Sequence, residues 1–141
     1  MRPEKTKMTK LIIPKEIFKQ MLEQAAAEAP IEACGILAGK AGEIKKFYKM
    51  INADNSSEHF TMEPQEQFKV IKDIRLAGLE MLAIYHSHPN SPARPSEEDM
   101  RMALTPDVVY IILSIMSIEI PVIKGFRITD RNASDVAVEI V

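Results

Sequence analysis

The chain has 141 residues, 46% of them hydrophobic, which suits one domain with one core and leaves no length for a second. Lys and Arg number 18 against 20 Asp and Glu, a net charge of −2, and that balance argues against a nucleic-acid partner. One cysteine excludes an internal disulfide framework and any zinc site built from several thiolates.

Residues 8–13 read as a short strand. The polar, basic start carries no signal-peptide core, because Leu11-Ile12-Ile13 is too short and Pro14 interrupts it. Pro14 and Pro30 bracket a helix with an apolar stripe of Ile17, Phe18, Met21, Leu22, Ala25 and Ala29. Residues 31–38 form a short apolar run leading to a turn at Gly39-Lys40-Ala41-Gly42. A β-rich strand follows over 43–51, then a polar loop over 52–57. His59-Phe60-Thr61-Met62 is expected to be a short strand before Pro64. The next helix should turn Phe68, Ile71 and Ile74 inward and stop at Gly78. Residues 79–86 read as a buried strand, followed by a loop containing Pro89, Pro92 and Pro95 and a short helix over 96–104. Strands over 108–116, 121–129 and 135–141 complete the chain. The most apolar window, 108–118, falls short of the ~20 residues a membrane helix needs. The expected address is the cytoplasm, which the lone Cys34 suits. Scattered methionines read as core filling. Interleaved strands and helices predict an α/β or α+β class, with one mixed sheet flanked by helices in a single domain over 1–141.

Chemistry concentrates after the strand over 79–86. Alternate strand residues face one side, so His86 and His88 can converge on one point, a common start for a zinc site. A His-x-His at a strand end can equally be solvent-exposed or simply hydrogen-bonded. A catalytic zinc normally takes a third protein ligand, and Asp99 is the best-placed acid because the proline-rich loop can fold back to present its helix. Ser96-Glu97-Glu98-Asp99 also reads as a helix start, with Ser96 as N-cap and acids in the first turn, and a serine can cap a helix while still facing a ligand. Glu32 stands in an otherwise apolar run, Ile31-Glu32-Ala33-Cys34-Gly35-Ile36-Leu37, where a carboxylate is costly unless paired or ligating. Either it sits at the strand mouth in solvent or it is a general base for a metal-activated water. In the second case Ser96 would donate to the oxyanion formed at a carbonyl. Cys34 reads as a small buried hydrophobe and His59 as a loop or structural histidine. Tyr85 and Ser87 should face away from the two imidazoles, with Ser87 supporting them by a hydrogen bond.

Glu32, His86-Ser87-His88-Pro89, Ser96 and Asp99 together resemble the JAMM (MPN+) metalloprotease motif: Glu, a variable gap, His-Ser/Thr-His, seven residues, Ser, two residues, Asp. Glu32-Ala33-Cys34-Gly35-Ile36-Leu37-Ala38-Gly39 and His59-Phe60-Thr61-Met62-Glu63-Pro64 resemble further segments of its minimal prokaryotic members, so the likeness spans most of the chain. The resemblance implies the JAMM/MPN fold, cytidine-deaminase-like in its mixed sheet. It implies one Zn2+ on His86, His88 and Asp99, with Glu32 as base and Ser96 steadying the tetrahedral intermediate. It further implies hydrolysis of a peptide or isopeptide bond at the Gly-Gly C-terminus of a ubiquitin-like or sulfur-carrier protein, with neither nucleic acid nor membrane as partner.

Other metal hydrolases fit less well. A β/α-barrel amidohydrolase needs about 250 residues, and a zinc deaminase needs a Pro-Cys-x-x-Cys element that one cysteine does not supply. A cupin would need later Glu and His ligands, and His59 comes too early. The serious competitor is a non-catalytic MPN-type module that binds or assembles partners.

Overall fold

The computed structural model describes residues 9–141, so Met8 of the first expected strand lies outside it. Among the described residues the chain runs β1 (Lys10–Ile13), α1 (Lys15–Glu28), β2 (Cys34–Lys40), β3 (Glu43–Met50), α2 (Pro64–Leu76), β4 (Glu80–His88), α3 (Glu97–Arg101), β5 (Val109–Ser114), β6 (Val122–Thr129) and β7 (Asn132–Ile140). This is the expected mixed sheet with helices, and its strand order is β1-β3-β2-β4-β5-β6-β7. β1 pairs in parallel with both β3 and β7, closing the curled sheet into a barrel. Closure removes the exposed edges that an open sheet would have to protect.

Local chemistry explains the boundaries. Pro14 precedes α1 in an extended conformation, and Pro30, which has no N–H to donate, follows its end. Ala41 and Gly42, at φ 52 and 79, make the tight link between β2 and β3. Gly39 sits at a register shift where an added Cβ would fall 1.9 Å from the Glu43 carbonyl oxygen, so no other residue fits that backbone.

Two layers of packing result. Met21 and Ala25 of α1 join Leu11, Ile13, Leu37, Tyr85, Ile111 and Leu113 in the main core. Each large side chain fully buried there contributes ~1.5–3 kcal/mol. Gln24 is buried beside them: its amide donates to the Cys34 carbonyl at 2.9 Å, and its oxygen accepts from the Tyr85 hydroxyl at 2.8 Å. On the opposite face, Ile74 of α2 packs with Cys34, Ile36, Met50 and Met62, while Ala93 from the proline-rich loop covers Ile112 and Phe126.

Several expectations need correction. Phe68 and Ile71 are exposed, at 71% and 38%, and Ile74 alone of that trio is buried. α2 rests on the sheet along one narrow line, with Val70 beside Ile74 rather than Phe68. Ala29 is exposed after the end of α1. Residues 59–62 form no strand, only a bridge from Met62 to Asn52. β4 runs two residues further than expected and takes in both histidines. Met102 and Met116 are exposed, so the methionines are not uniformly core.

Candidate metal centre

β2 and β4 run antiparallel, with Cys34 opposite His86. Just before β2, the Ala33 N–H donates to Ser87 Oγ at 2.8 Å, and the Ser87 N–H donates back to the Ala33 carbonyl at 2.9 Å. This buried double link holds Glu32 against the strand that carries the histidines. Ser87 and Tyr85 point away from the imidazoles, as the strand period requires. Ser87→Ala would leave the Ala33 N–H buried without an acceptor. A loss of about 1–3 kcal/mol in urea unfolding is expected, and an unchanged midpoint would show the link to be dispensable.

The loop before α2 is stitched to the same place. The Asn52 side-chain amide donates to the carbonyls of Glu32 at 3.0 Å and His59 at 3.0 Å, and the Glu32 N–H donates to the Ser56 carbonyl at 2.9 Å. Phe60 stacks on the His86 ring with centroids 4.8 Å apart. Neither Asn52 nor Phe60 stood out in the sequence. A polar loop residue and a lone aromatic give no periodic signal, though the segment around Phe60 belongs to the family resemblance.

All five residues expected at a site come together. His86 Nε2 and His88 Nε2 lie 3.1 Å apart, and Asp99 Oδ2 lies 3.3 and 3.1 Å from them. The His88 Nδ1–H donates to the Pro92 carbonyl at 2.8 Å, which leaves the Nε2 of the neutral ring as a lone pair aimed inward. A tetrahedral ion with bonds of about 2.0–2.2 Å has ligand–ligand edges of roughly 3.3–3.6 Å. The triangle of two imidazole nitrogens and one carboxylate oxygen is close to one face of that tetrahedron, so the donor set fits a single divalent metal ion. A Glu32 carboxylate oxygen also falls within 4.8 Å of the histidine ligand atoms, but the Asp99 oxygen touches both rings directly. Glu32 Oε1 and His86 Nδ1 are buried without any hydrogen-bond partner. Such an orphaned carboxylate oxygen marks a site completed by something it faces.

Ser96 and Asp99 form the capping box of α3. The Asp99 N–H donates to Ser96 Oγ at 3.0 Å, and the Ser96 N–H donates to Asp99 Oδ2 at 2.9 Å. The helix-start reading and the site reading therefore hold together: the cap fixes the carboxylate, and the Ser96 hydroxyl hydrogen stays available to a ligand. Glu32, His88 and Ser96 line one cleft of about 950 Å³, while His86 and Asp99 also border a neighbouring hollow of about 390 Å³ on the Phe60 side. Cys34 lies beneath the site in the core, as the small buried hydrophobe expected, its thiol pushed up to about 12 by burial. His59 pairs with Asp54 in the loop.

Burial sets the electrostatics. It pushes the Glu32 carboxyl up to about 8, with the His88 charge opposing and Asp99 reinforcing. Burial also pushes His86 down. For His88, burial pulls downward, but the hydrogen bonds to Asp99 and Pro92 outweigh it and leave the pKa raised. Burial pushes Asp99 up, yet both imidazoles hold it well below the usual carboxylate range. The two carboxylates of the site are thus shifted in opposite directions, Glu32 upward and Asp99 downward.

Comparison with known proteins adds a separate line. A family model described as prokaryotic homologs of the JAB domain matches residues 14–129. The CysO-cysteine peptidase of Mycobacterium tuberculosis is 31% identical over 133 residues, covering 93% of this chain and 91% of that protein. The desampylase of Pyrococcus furiosus is 31% identical over 104 residues, 74% of each chain. Among solved structures, protein DSY2949 from Desulfitobacterium hafniense superposes with a TM-score of 0.85 at 37% identity, covering 93% of this chain and 92% of that one. AF2198, a JAB1/MPN domain protein from Archaeoglobus fulgidus, shares the fold at a TM-score of 0.62 and 20% identity, covering 94% and 99%.

Proposed function

The chain belongs to the prokaryotic JAB-domain family, and from that premise we propose that it is a zinc peptidase of the JAMM type. It hydrolyses the peptide or isopeptide bond at the C-terminus of a ubiquitin-like or sulfur-carrier protein ending in Gly-Gly. The relatives' names supply the substrate class, and the observation that carries the site is the His86–His88–Asp99 triangle, with His88 lining one cleft together with Glu32 and Ser96. Residues 1–141 act as one catalytic domain.

His86 Nε2, His88 Nε2 and Asp99 Oδ2 would hold the ion. Two imidazoles and a carboxylate are a donor set that a catalytic zinc takes, with a further position left for water or substrate, and the family resemblance supports zinc. Zinc, when bound, supplies Lewis-acid activation of water and of the scissile carbonyl. Glu32, buried and short of partners, takes the proton from the attacking water and returns it to the leaving amine. The Ser96 hydroxyl donates to the oxygen that becomes negative during attack. Asn52 and the Ala33–Ser87 link keep the Glu32 backbone from drifting. The cleft is open enough to admit a slim glycine tail, whose lack of side chains lets it pass the walls.

Among the described residues no helix is long and apolar enough to cross a membrane. We infer a cytoplasmic location, supported by the free, buried thiol of Cys34, since oxidising compartments favour paired cysteines.

The direct test is incubation of the zinc-loaded protein with sulfur-carrier proteins extended past their terminal glycines, read by mass spectrometry. Removal of the extension is expected. Bound zinc with no turnover on any carrier conjugate would favour the non-catalytic module instead. Ser96→Ala is expected to lower kcat by about 10²-fold, the scale of losing one oxyanion donor, with zinc retained. Ser96→Thr, which restores the hydroxyl and the cap, should recover most of the rate. Equal rates in the alanine variant and the native protein would reduce Ser96 to a helix cap.

A further inference from the structure

We propose that the exposed apolar loop between β5 and β6 is the docking surface for the folded body of the ubiquitin-like carrier while its tail occupies the catalytic cleft. The inference rests on the carrier-processing function proposed above and adds where the substrate's bulk is held.

The loop carries Met116, Ile118 and Ile120 at 59%, 59% and 72% exposure, with Val122 at 41% just beyond. Its one charged residue is Glu119. A single exposed isoleucine is ordinary. Several apolar side chains gathered on one short loop mark a contact site, because each gives up the stabilisation that burial would bring.

Position decides what the contact is for. β5 ends at Ser114, directly opposite His88 in the parallel β4–β5 register. The next residue's N–H, that of Ile115, donates to the His88 carbonyl at 3.2 Å, and Ser114 Oγ donates to the Ser91 carbonyl at 2.6 Å. The loop therefore leaves the sheet beside the backbone of a site histidine and against the proline-rich loop. An extended tail of two to four residues spans roughly 7–14 Å. A carrier whose terminal glycines lie at the reacting bond must rest its folded body within that distance, and this loop starts from Ser114, the residue paired with His88.

Size argues for a transient protein partner over a second copy of this chain. Four side chains offer a few hundred Å², well short of the roughly 800 Å² per partner that a stable interface buries. A small patch suffices when a tail already anchored in the cleft holds the partner at high local concentration. The occupant is then an apolar face of a small folded protein lying next to the root of its own C-terminal tail.

The experiment compares two substrates: a carrier extended past Gly-Gly, and a synthetic peptide of its last residues with the same extension. In Ile118→Glu, Ile120→Glu and the double variant, KM for the carrier is expected to rise. The ratio of kcat/KM for carrier over peptide should fall by about 10-fold or more, the scale of losing a packed interface side chain. Phe68→Glu on α2, an equally exposed apolar residue outside the loop, should leave the ratio where it is. An unchanged ratio in the double variant overturns the proposal, and so does the same fall in Phe68→Glu. A dimer in sedimentation that the loop substitutions dissolve assigns the patch to a second copy and also overturns it. Absence of cleavage of both substrates by the native protein defeats the carrier-processing function itself, which is a different result from cleavage of both with no loop effect.

Discussion

Glu32→Gln is expected to cut turnover by about 10²–10⁴-fold, the usual worth of a positioned general base, while one metal ion per chain remains. Glutamine keeps the size and shape of the side chain, so the packing around this 3% exposed residue is undisturbed. What it removes is the atom that can accept a proton. The metal should stay because the three closest donors, His86, His88 and Asp99, are intact. Metal analysis after dialysis and single-turnover kinetics check the two halves separately. Loss of metal would make Glu32 a ligand, and retained turnover would place the base elsewhere.

The same substitution has a stability consequence with a definite sign. In the metal-free protein burial raises the Glu32 carboxyl from 4.5 to about 8. A carboxyl raised on folding binds its proton more tightly in the native state, so its charged form destabilises the fold. That penalty is absent well below the unfolded value, grows as pH rises past it, and is complete above about 8. Metal-free Glu32→Gln should therefore be more stable than the metal-free native protein at pH 8.5 and indistinguishable from it near pH 4. A nearby dication lowers the Glu32 value, so the difference should shrink when zinc is added. A residue that costs stability alone and is relieved by a cation is better explained by chemistry than by packing.

Much of this was readable from residue order, and the reasons are physical. His86 and His88 share a face because strand side chains alternate, which is a local rule. Pro14 and Pro30 bracket α1 because proline is favoured at a helix entrance and blocked from continuing it. Ser96 and Asp99 had two readings: the capping box is observed, and it leaves Asp99 Oδ2 beside both imidazoles, which is compatible with the ligand reading. What escaped was set by distant partners. Gln24 is a polar residue in a helix, yet it is buried because Tyr85 and two strand carbonyls satisfy its amide. Phe68 and Ile71 read as an inward stripe, yet α2 touches the sheet along one narrow line. The parallel pairing of β1 with β7 joins opposite ends of the chain, and no short segment encodes it. The gap between Glu32 and His86 is likewise bridged only by tertiary bonds, of which the Ala33–Ser87 pair is the shortest route.

Asp99 offers the second large effect, because one oxygen serves two structures at once. Asp99 Oδ2 accepts the Ser96 N–H and also faces both imidazoles. Asp99→Ala should lose the metal and also the cap of α3, a helix of five residues with little else to hold its first turn. Asp99→Asn keeps an oxygen that can accept the Ser96 N–H but removes the charge. The two variants should differ by about 1 kcal/mol in metal-free urea unfolding, the typical worth of a helix cap, with asparagine the more stable. Neither should gain stability from zinc. The native protein should, by about 2.7 kcal/mol at a free zinc concentration 100 times its Kd. If Asp99→Asn still takes up one zinc per chain and is stabilised by it, the carboxylate is not the third ligand. The metal would then belong to His86, His88 and Glu32, the other trio within reach, and the base would have to be sought elsewhere in the cleft. If zinc stabilises neither variant, while asparagine restores the helix and leaves the protein inactive, the cap and the ligand are two separable roles of one carboxylate. The short spacing from Ser96 to Asp99 then follows from geometry: only a side chain three residues into the helix can reach back to the cap and outward to the histidines together.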